Sequence, residues 1–83
     1  NDATYWNSTA ITKALENKSF YLLGDNYYLQ VRLFEEQNLI EDAINSCNKA
    51  ISIFSLENNE TMRSLTLSYL SYLKEKNSKE PQQ

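Results

Sequence analysis

The pattern of apolar residues along the chain predicts a bundle made of helices alone. Between positions 38 and 54 the apolar residues recur at steps of three and four, which places them on one stripe of an α-helix. This stripe consists of Ile40, Ala43, Ile44, Cys47, Ala50, Ile51 and Phe54. No other segment has so regular a spacing, so this helix is predicted to be the most deeply buried element.

Three other segments show the same spacing less regularly, and the whole pattern predicts an all-α fold. The predicted helices span 3–16, 19–36, 39–55 and 60–76. They are expected to form a small antiparallel bundle of three to four helices in a single domain at 1–76, with a polar tail at 77–83. Neither Gly nor Pro marks the break near Asn17, so one long helix over 3–36 is the alternative to the first two.

The second helix carries apolar residues on two stripes, which predicts a neighbour on each side and a place in the middle of the domain. The second of these stripes contains Leu22, Leu29 and Leu33. Gly24 is expected to mark a close approach by a bulky side chain, with Trp6 as the candidate, rather than a hinge. Asn38 is expected to cap the start of the third helix.

The last helix divides its apolar residues between a main and a secondary stripe. The main stripe, which is expected to face the core, contains Met62, Leu65, Tyr69, Tyr72 and Leu73. The secondary stripe contains Leu67 and Leu70, with Lys74 a turn beyond. Leu67 and Leu70 are therefore predicted to be spare apolar surface, as is Ile53, which lies off the main stripe of the third helix.

Charge and composition exclude several classes of function. The net charge is −3 at pH 7 and no face is basic, which argues against nucleic-acid binding. No apolar run approaches the ~20 residues of a membrane span, and the start of the chain lacks the basic and apolar regions of a signal peptide. Neither nucleic acid nor direct membrane insertion is therefore expected.

The sequence offers little catalytic chemistry. It contains no His and one Cys, which excludes imidazole bases and thiolate or His metal sites, and no cofactor is expected. Cys47 lies on the buried stripe and is expected to be a small core residue in a reducing, cytoplasmic compartment. The acidic pairs at 35–36 and 41–42 flank one predicted turn and are expected to be solvated or to cap helices. The chain is predicted not to be an enzyme.

The third helix resembles the second helix of two helical families. Its run IEDAI at 40–44, followed by Ala50 and Phe54, is similar to tetratricopeptide repeats and to the MIT (microtubule interacting and trafficking) domain. The short connection to the last helix is closer to the repeat family. A weak internal echo, KAL at 13–15 against KAI at 49–51, also fits a repeat, at a spacing of 36 residues.

The last helix is closer to the MIT domain. Its Arg63, followed by the pair Tyr69-Leu70, resembles the third helix of that family. The resemblance implies a three-helix bundle that binds a short amphipathic peptide, with Leu70 facing the peptide. Where the family often has an acidic residue one turn later, this chain has Lys74.

Two functions follow from these observations. The first is a non-enzymatic module that binds an amphipathic peptide in a groove between its last two helices, with Ile53, Leu67, Leu70 and Lys74 as the binding residues. The MIT resemblance implies an adaptor in membrane trafficking, whose protein or peptide partner could be a subunit of a membrane-remodelling filament. The alternative is a structural fragment of a helical repeat scaffold, or a dimerising bundle, with no ligand of its own.

Overall fold

The computed structural model describes residues 2–18 and 22–79, and within these ranges it contains helices and no strand. The helices are α1 (Asp2–Glu16), α2 (Leu23–Glu36), α3 (Ile40–Leu56) and α4 (Glu60–Lys79). The predicted all-α bundle is therefore confirmed. Positions 19–21, where the second helix was predicted to begin, lie outside the described residues. The last helix continues three residues beyond the predicted end at 76, so 77–79 belong to α4 rather than to a tail.

The helix ends explain how a chain with one glycine makes tight turns. Asn38 and Asn58 have positive φ angles of 62° and 58°. The N–H of the residue after each then bonds back over the last turn, from Leu39 to the Phe34 carbonyl at 2.8 Å and from Asn59 to the Phe54 carbonyl at 2.9 Å. This is the Schellman termination, in which Asn often replaces Gly at the left-handed position.

The turn at Asn38 differs from the predicted one. Asn38 was expected to cap the start of α3, but it ends α2 instead, and the residue that precedes α3, Leu39, provides no side-chain cap. Asn59 does cap α4, because its Oδ1 accepts a hydrogen bond from the Met62 N–H at 3.2 Å. A left-handed residue also follows α1, where Lys18 has a φ of 53°, so 3–36 is not one long helix.

The core consists of two clusters along the α2–α3 pair. The first joins α1, α2 and α3 through Ile11, Leu23, Tyr27, Ala50 and Phe54. The second joins α2, α3 and α4 through Val31, Ala43, Cys47, Leu70 and Leu73. The start of α2 thus meets the end of α3, and the end of α4 meets the start of α3, so neighbouring helices run antiparallel. Most of the predicted stripe of α3 is confirmed, because the structure buries Ile40, Ala43, Cys47, Ala50 and Phe54. At its edges Ile44 and Ile51 are half-buried, and the polar Ser46 is buried although it was not predicted to be.

Gly24 marks the tightest contact of this core. A Cβ atom on Gly24 would lie 2.5 Å from Cε1 and 2.9 Å from Cδ1 of Phe54, whose side chain is fully buried. The predicted close approach is real, but the neighbour is Phe54. Trp6 is 67% exposed on α1 and was the wrong candidate.

The helix α2 does have neighbours on both sides, but two of the three leucines in the predicted second stripe are exposed and the third, Leu33, is half-buried. Leu22 and Leu29 are 50% and 42% exposed. Toward α1, α2 combines the apolar contacts of the first core cluster with polar groups. Asn7 donates to the Asn26 carbonyl at 2.8 Å, Gln30 to Ser8 at 3.2 Å, and Gln37 to Thr4 at 2.7 Å. These pairs satisfy amides that would be costly to bury without partners.

We expect Gly24→Ala to destabilise the protein by about 1–2 kcal/mol. The extra methyl group would force the buried Phe54 ring to move, and overpacking of this type costs ~1–3 kcal/mol, more than the gain of up to ~1 kcal/mol in helix propensity. Urea denaturation measures the change. In a Phe54→Leu background, where the ring is gone, the same substitution should be neutral or stabilising. A stabilising effect of Gly24→Ala in the wild-type chain would contradict this packing.

Candidate functional site

The last helix has two lateral sides with different chemistry. On one side Tyr69 and Lys76 face α2. On the other side Arg63, Leu67, Leu70 and Lys74 follow one another at steps of four, three and four residues, which places them on one stripe. From α3, the half-buried Ile44 and Ile51 pack beside this stripe, against the second core cluster. We call this surface the α3–α4 seam, consisting of Ile44, Ile51, Arg63, Leu67, Leu70 and Lys74.

The seam contains three of the four residues predicted to bind a peptide, in different roles. Leu70 is only 8% exposed, so it belongs to the core and forms the floor of the seam. Leu67 is 38% exposed and is the apolar residue of this stripe that faces solvent. Lys74 is exposed at one end of the stripe. A substitution of Leu70 would therefore unfold the protein, and Leu67 is the residue that can be changed without disturbing the core.

Ile53 does not lie on the seam, which corrects its predicted place. It packs against the first core cluster, with Ile11 of α1 and Ala50 of its own helix. Ile51, two positions earlier, packs on the second cluster. Residues two apart on an α-helix point about 200° from each other, so the two isoleucines face opposite sides of α3. The apolar residues that α3 contributes to the seam are Ile44 and Ile51.

The predicted main stripe of α4 is only partly buried. Leu73 is buried as expected, and Met62 and Tyr69 are half-buried against the core clusters. Leu65 and Tyr72 were expected in the core, but they are 50% and 51% exposed. The residues that α4 buries are Thr66, Leu70 and Leu73. The sequence pattern missed Thr66, whose hydroxyl is satisfied because it donates to the Met62 carbonyl at 2.6 Å. That local hydrogen bond lets a polar residue occupy a core position one step away from the predicted stripe.

On the side toward α2, a carboxylate and three tyrosines hold α4 in place. Glu35 accepts a hydrogen bond from the Tyr69 hydroxyl, and its second oxygen lies 3.7 Å from Lys76 Nζ. The Tyr69 ring stacks edge to face on Tyr28 at 5.7 Å and lies 6.1 Å from Tyr72. Glu35 was expected to be solvated. Its side chain is instead only 18% exposed and connects α2 to α4. We call its contacts with Tyr69 and Lys76 the Glu35 bridge.

The electrostatics of Glu35 follow from these contacts. Burial by itself raises the pKa of Glu35, but hydrogen bonds from Tyr69 and Tyr72 and the charge of Lys76 outweigh it, and the pKa lies below its usual value. Burial and the hydrogen bond to Glu35 raise the pKa of Tyr69. The carboxylate therefore stays charged and the phenol stays protonated near neutral pH, as required by a structural bridge. The spacing of Tyr28 and Glu35 by seven residues was the one signal in the sequence that these side chains share a face.

The described residues offer little toward catalysis. No group of three or more His, Cys, Asp or Glu side chains among them could hold a metal ion. Burial raises the pKa of the Cys47 thiol to about 11, so it is not ionised near neutral pH, and its Sγ lies 3.5 Å from the Thr66 carbonyl. A nucleophilic side chain must be ionised or activated by a neighbouring base, and it must be accessible to the substrate. Cys47 is thus a core residue, as expected from its position on the buried stripe.

The surface carries shallow depressions. One of about 290 Å³ is lined by Tyr72, Glu75, Lys76 and Lys79 of α4. Another of about 320 Å³ follows the outer face of α1, from Tyr5 to Glu16. The described residues that line each depression belong to a single helix, so neither depression is a cavity enclosed between helices. No described helix is both long enough and apolar enough to cross a membrane.

Comparison with known proteins neither supports nor contradicts the resemblances to tetratricopeptide repeats and to the MIT domain. No family model matches this chain, and no curated protein or solved structure matches it either.

The Glu35 bridge predicts how stability depends on pH. Because the pKa of Glu35 is lower in the folded chain than its ordinary 4.5, the bridge stabilises the fold above that pH and loses this effect as the pH falls through the folded value. We expect Glu35→Gln to destabilise the protein by about 1–2 kcal/mol at pH 7. Urea denaturation at several pH values should show the gap between variant and wild type closing on acidification. A gap that is the same at neutral and acidic pH would contradict the bridge.

Proposed function

We propose that this chain is a non-enzymatic protein-interaction module that binds an amphipathic peptide along the α3–α4 seam. The observation that carries the proposal is that Leu67 is exposed on the same stripe of α4 as the buried Leu70, and that the half-buried Ile44 and Ile51 of α3 pack on the core cluster to which Leu70 belongs. An apolar strip between two antiparallel helices offers the surface that an amphipathic helix covers with its own apolar stripe. Leu67 is exposed, and Ile44 and Ile51 on the neighbouring helix are partly exposed, so the seam offers more apolar surface than one isolated residue would.

The resemblance to the MIT domain supports the same surface. In that family the Leu of the Tyr-Leu pair faces the peptide, and Leu70, its match, forms the floor of the seam. On this basis we propose an adaptor role in membrane trafficking, with a subunit of a membrane-remodelling filament as a candidate partner. Such a role needs no catalytic group.

Leu67→Asp should abolish peptide binding and leave the fold intact, because Leu67 is 38% exposed and lies outside the core clusters. Leu29→Asp is the matched control, since Leu29 is 42% exposed on α2 and away from the seam. A displayed library of amphipathic peptides would be selected on the wild-type chain. The selected peptides should bind the control variant with unchanged affinity and lose at least about tenfold on Leu67→Asp, as expected for an apolar anchor.

Circular dichroism of both variants checks that the helices are retained. The proposal is overturned if the library yields no binder, or if the binders ignore the Leu67 substitution. Leu70→Asp is not a useful probe of binding, because a charge at a position that is 8% exposed is expected to unfold the chain.

The alternative is a structural segment of a helical repeat scaffold or of a dimerising bundle. It is favoured by the flat shape of the domain, which extends 39 × 30 × 14 Å, and by the exposed aromatic pair on α1. Tyr5 and Trp6 are 63% and 67% exposed and contact each other edge to face at 5.2 Å. A flat layer of helices with an apolar edge is typical of arrays in which each unit stacks on the next.

Sedimentation of the isolated chain over a range of concentrations distinguishes the two functions. The interaction module is expected to remain a monomer. A reversible dimer that disappears in the variant Trp6→Ala would favour the structural alternative, because Trp6 lies on α1 and far along the sequence from the seam. A dimer that is lost with Leu67→Asp would instead mean that the seam binds a second copy.

A further inference from the structure

We infer that the partner of the α3–α4 seam is an amphipathic helix that carries acidic residues beside its apolar stripe, on the side toward α4. This inference rests on the proposed function and names the chemistry of the ligand. The observation behind it is that the stripe of α4 is apolar in the middle and basic at both ends. Leu67 and Leu70 lie between Arg63 and Lys74, all on one side of the helix.

The dimensions of the stripe match a short helix. From 63 to 74 the axis of α4 rises by ~16 Å, at about 1.5 Å per residue, which equals three turns. A partner helix of similar length would place its apolar residues over Leu67 and between Ile44 and Ile51. The ends of its stripe would then reach Arg63 and Lys74. Carboxylates at those places would pair with both cations.

Lys74 differs from Lys76 and Lys79 on the same helix, because it forms no ion pair in the part of the chain that the structure describes. Lys76 lies 3.7 Å from Glu35, and Lys79 lies 2.7 Å from Glu75. Within residues 2–18 and 22–79, no carboxylate lies within ion-pair distance of Lys74. Arg63 has only an exposed contact of 3.5 Å with Glu60 on its own helix, and exposed pairs of this kind are weak.

The α3 edge of the seam predicts which side of the partner's apolar stripe carries the acidic residues. On α3 the residues beside Ile44 and Ile51 are neutral at Asn48 and Ser55, and acidic at Glu41 one turn before Ile44. Acidic residues of the partner would be repelled by Glu41 on that edge and attracted on the α4 edge. The partner's carboxylates are therefore expected on one side of its apolar stripe only.

The overall charge of the chain does not decide this contact. The net charge is −3, which by itself would disfavour an acidic ligand. At physiological ionic strength, however, exposed charges are largely screened beyond ~8 Å, so the nearest cations dominate over the distant carboxylates. Two cations are also too few for a nucleic acid or an anionic membrane, which require a broad basic face.

A second copy of the chain is a poor occupant of the seam. If two seams packed with their stripes antiparallel, Arg63 of one copy would face Lys74 of the other, and a parallel arrangement would bring like residues together. Both arrangements place cations against cations, which is unfavourable across an interface. A ligand of opposite charge is therefore preferred to self-association through this surface.

The test uses one peptide from the library selection, made in three forms. All three keep the apolar stripe, and the charged residues beside it are replaced by Glu, Gln or Lys. We expect the Glu form to bind the wild-type chain about tenfold more tightly than the Lys form, because each of two contacts changes from attraction to repulsion. The difference should shrink at high salt. Titration calorimetry measures all three.

Charge reversal in the protein completes the test. Lys74→Glu should reduce or invert the preference for the Glu form, whereas Lys13→Glu on α1 should leave it unchanged. If the Lys form binds the wild-type chain as tightly as the Glu form, while Leu67→Asp still abolishes binding, the inference fails and the proposed function stands. If no form binds the wild-type chain, both fail.

Discussion

The contact between Gly24 and the ring of Phe54 is the constraint on which the rest of the structure depends. It lets α2 and α3 approach closely enough for both core clusters to form along one helix pair. Ile11 of α1 belongs to the same cluster as this ring, and Ala14 of α1 and Met62 of α4 pack against that cluster. Because a domain of this size has a small core, the loss of one such contact affects every helix.

Polar contacts decide how the outer helices attach to this pair. The helix α1 buries little apolar surface and is aligned by amide and hydroxyl groups, with Gln30 joining Ser8 and Ser46 across three helices. The helix α4 is aligned by Glu35, which binds Tyr69 and Lys76. Among the described residues, no buried side-chain nitrogen or oxygen lacks a partner. Directional bonds of this kind specify one arrangement where apolar packing alone would allow several.

On α4, two sides of the helix are occupied by contacts within the fold. Its side toward α2 is occupied by the Glu35 bridge, and its core face by Thr66, Leu70 and Leu73. What remains is the seam with α3, where Leu67 and Lys74 face solvent and Lys74 has no ion pair with another described residue. The proposed recognition surface exposes Leu67 and Lys74, which lie outside both core clusters, so substitutions at these two positions are expected to change affinity for a partner with little loss of stability.

The sequence by itself determined that the fold is all-α, which residues of α3 form its buried stripe and that Cys47 lies in the core, because regular spacing of apolar residues depends only on helix geometry. It left open whether 3–36 form one helix or two. It also indicated that Gly24 lies under a bulky group. It did not determine that the group is Phe54, or that Asn38 ends α2 rather than capping α3, since both depend on how the chain turns back.

Only the tertiary structure decided which side of α4 is buried. The apolar residues of that helix surround its axis, and the Glu35 bridge and the hydrogen bond of Thr66 select a rotation that moves Leu70 inward and leaves Leu67 outside. Ile53 faces away from the seam for a related reason, because contact with α1 places it on the other side of α3.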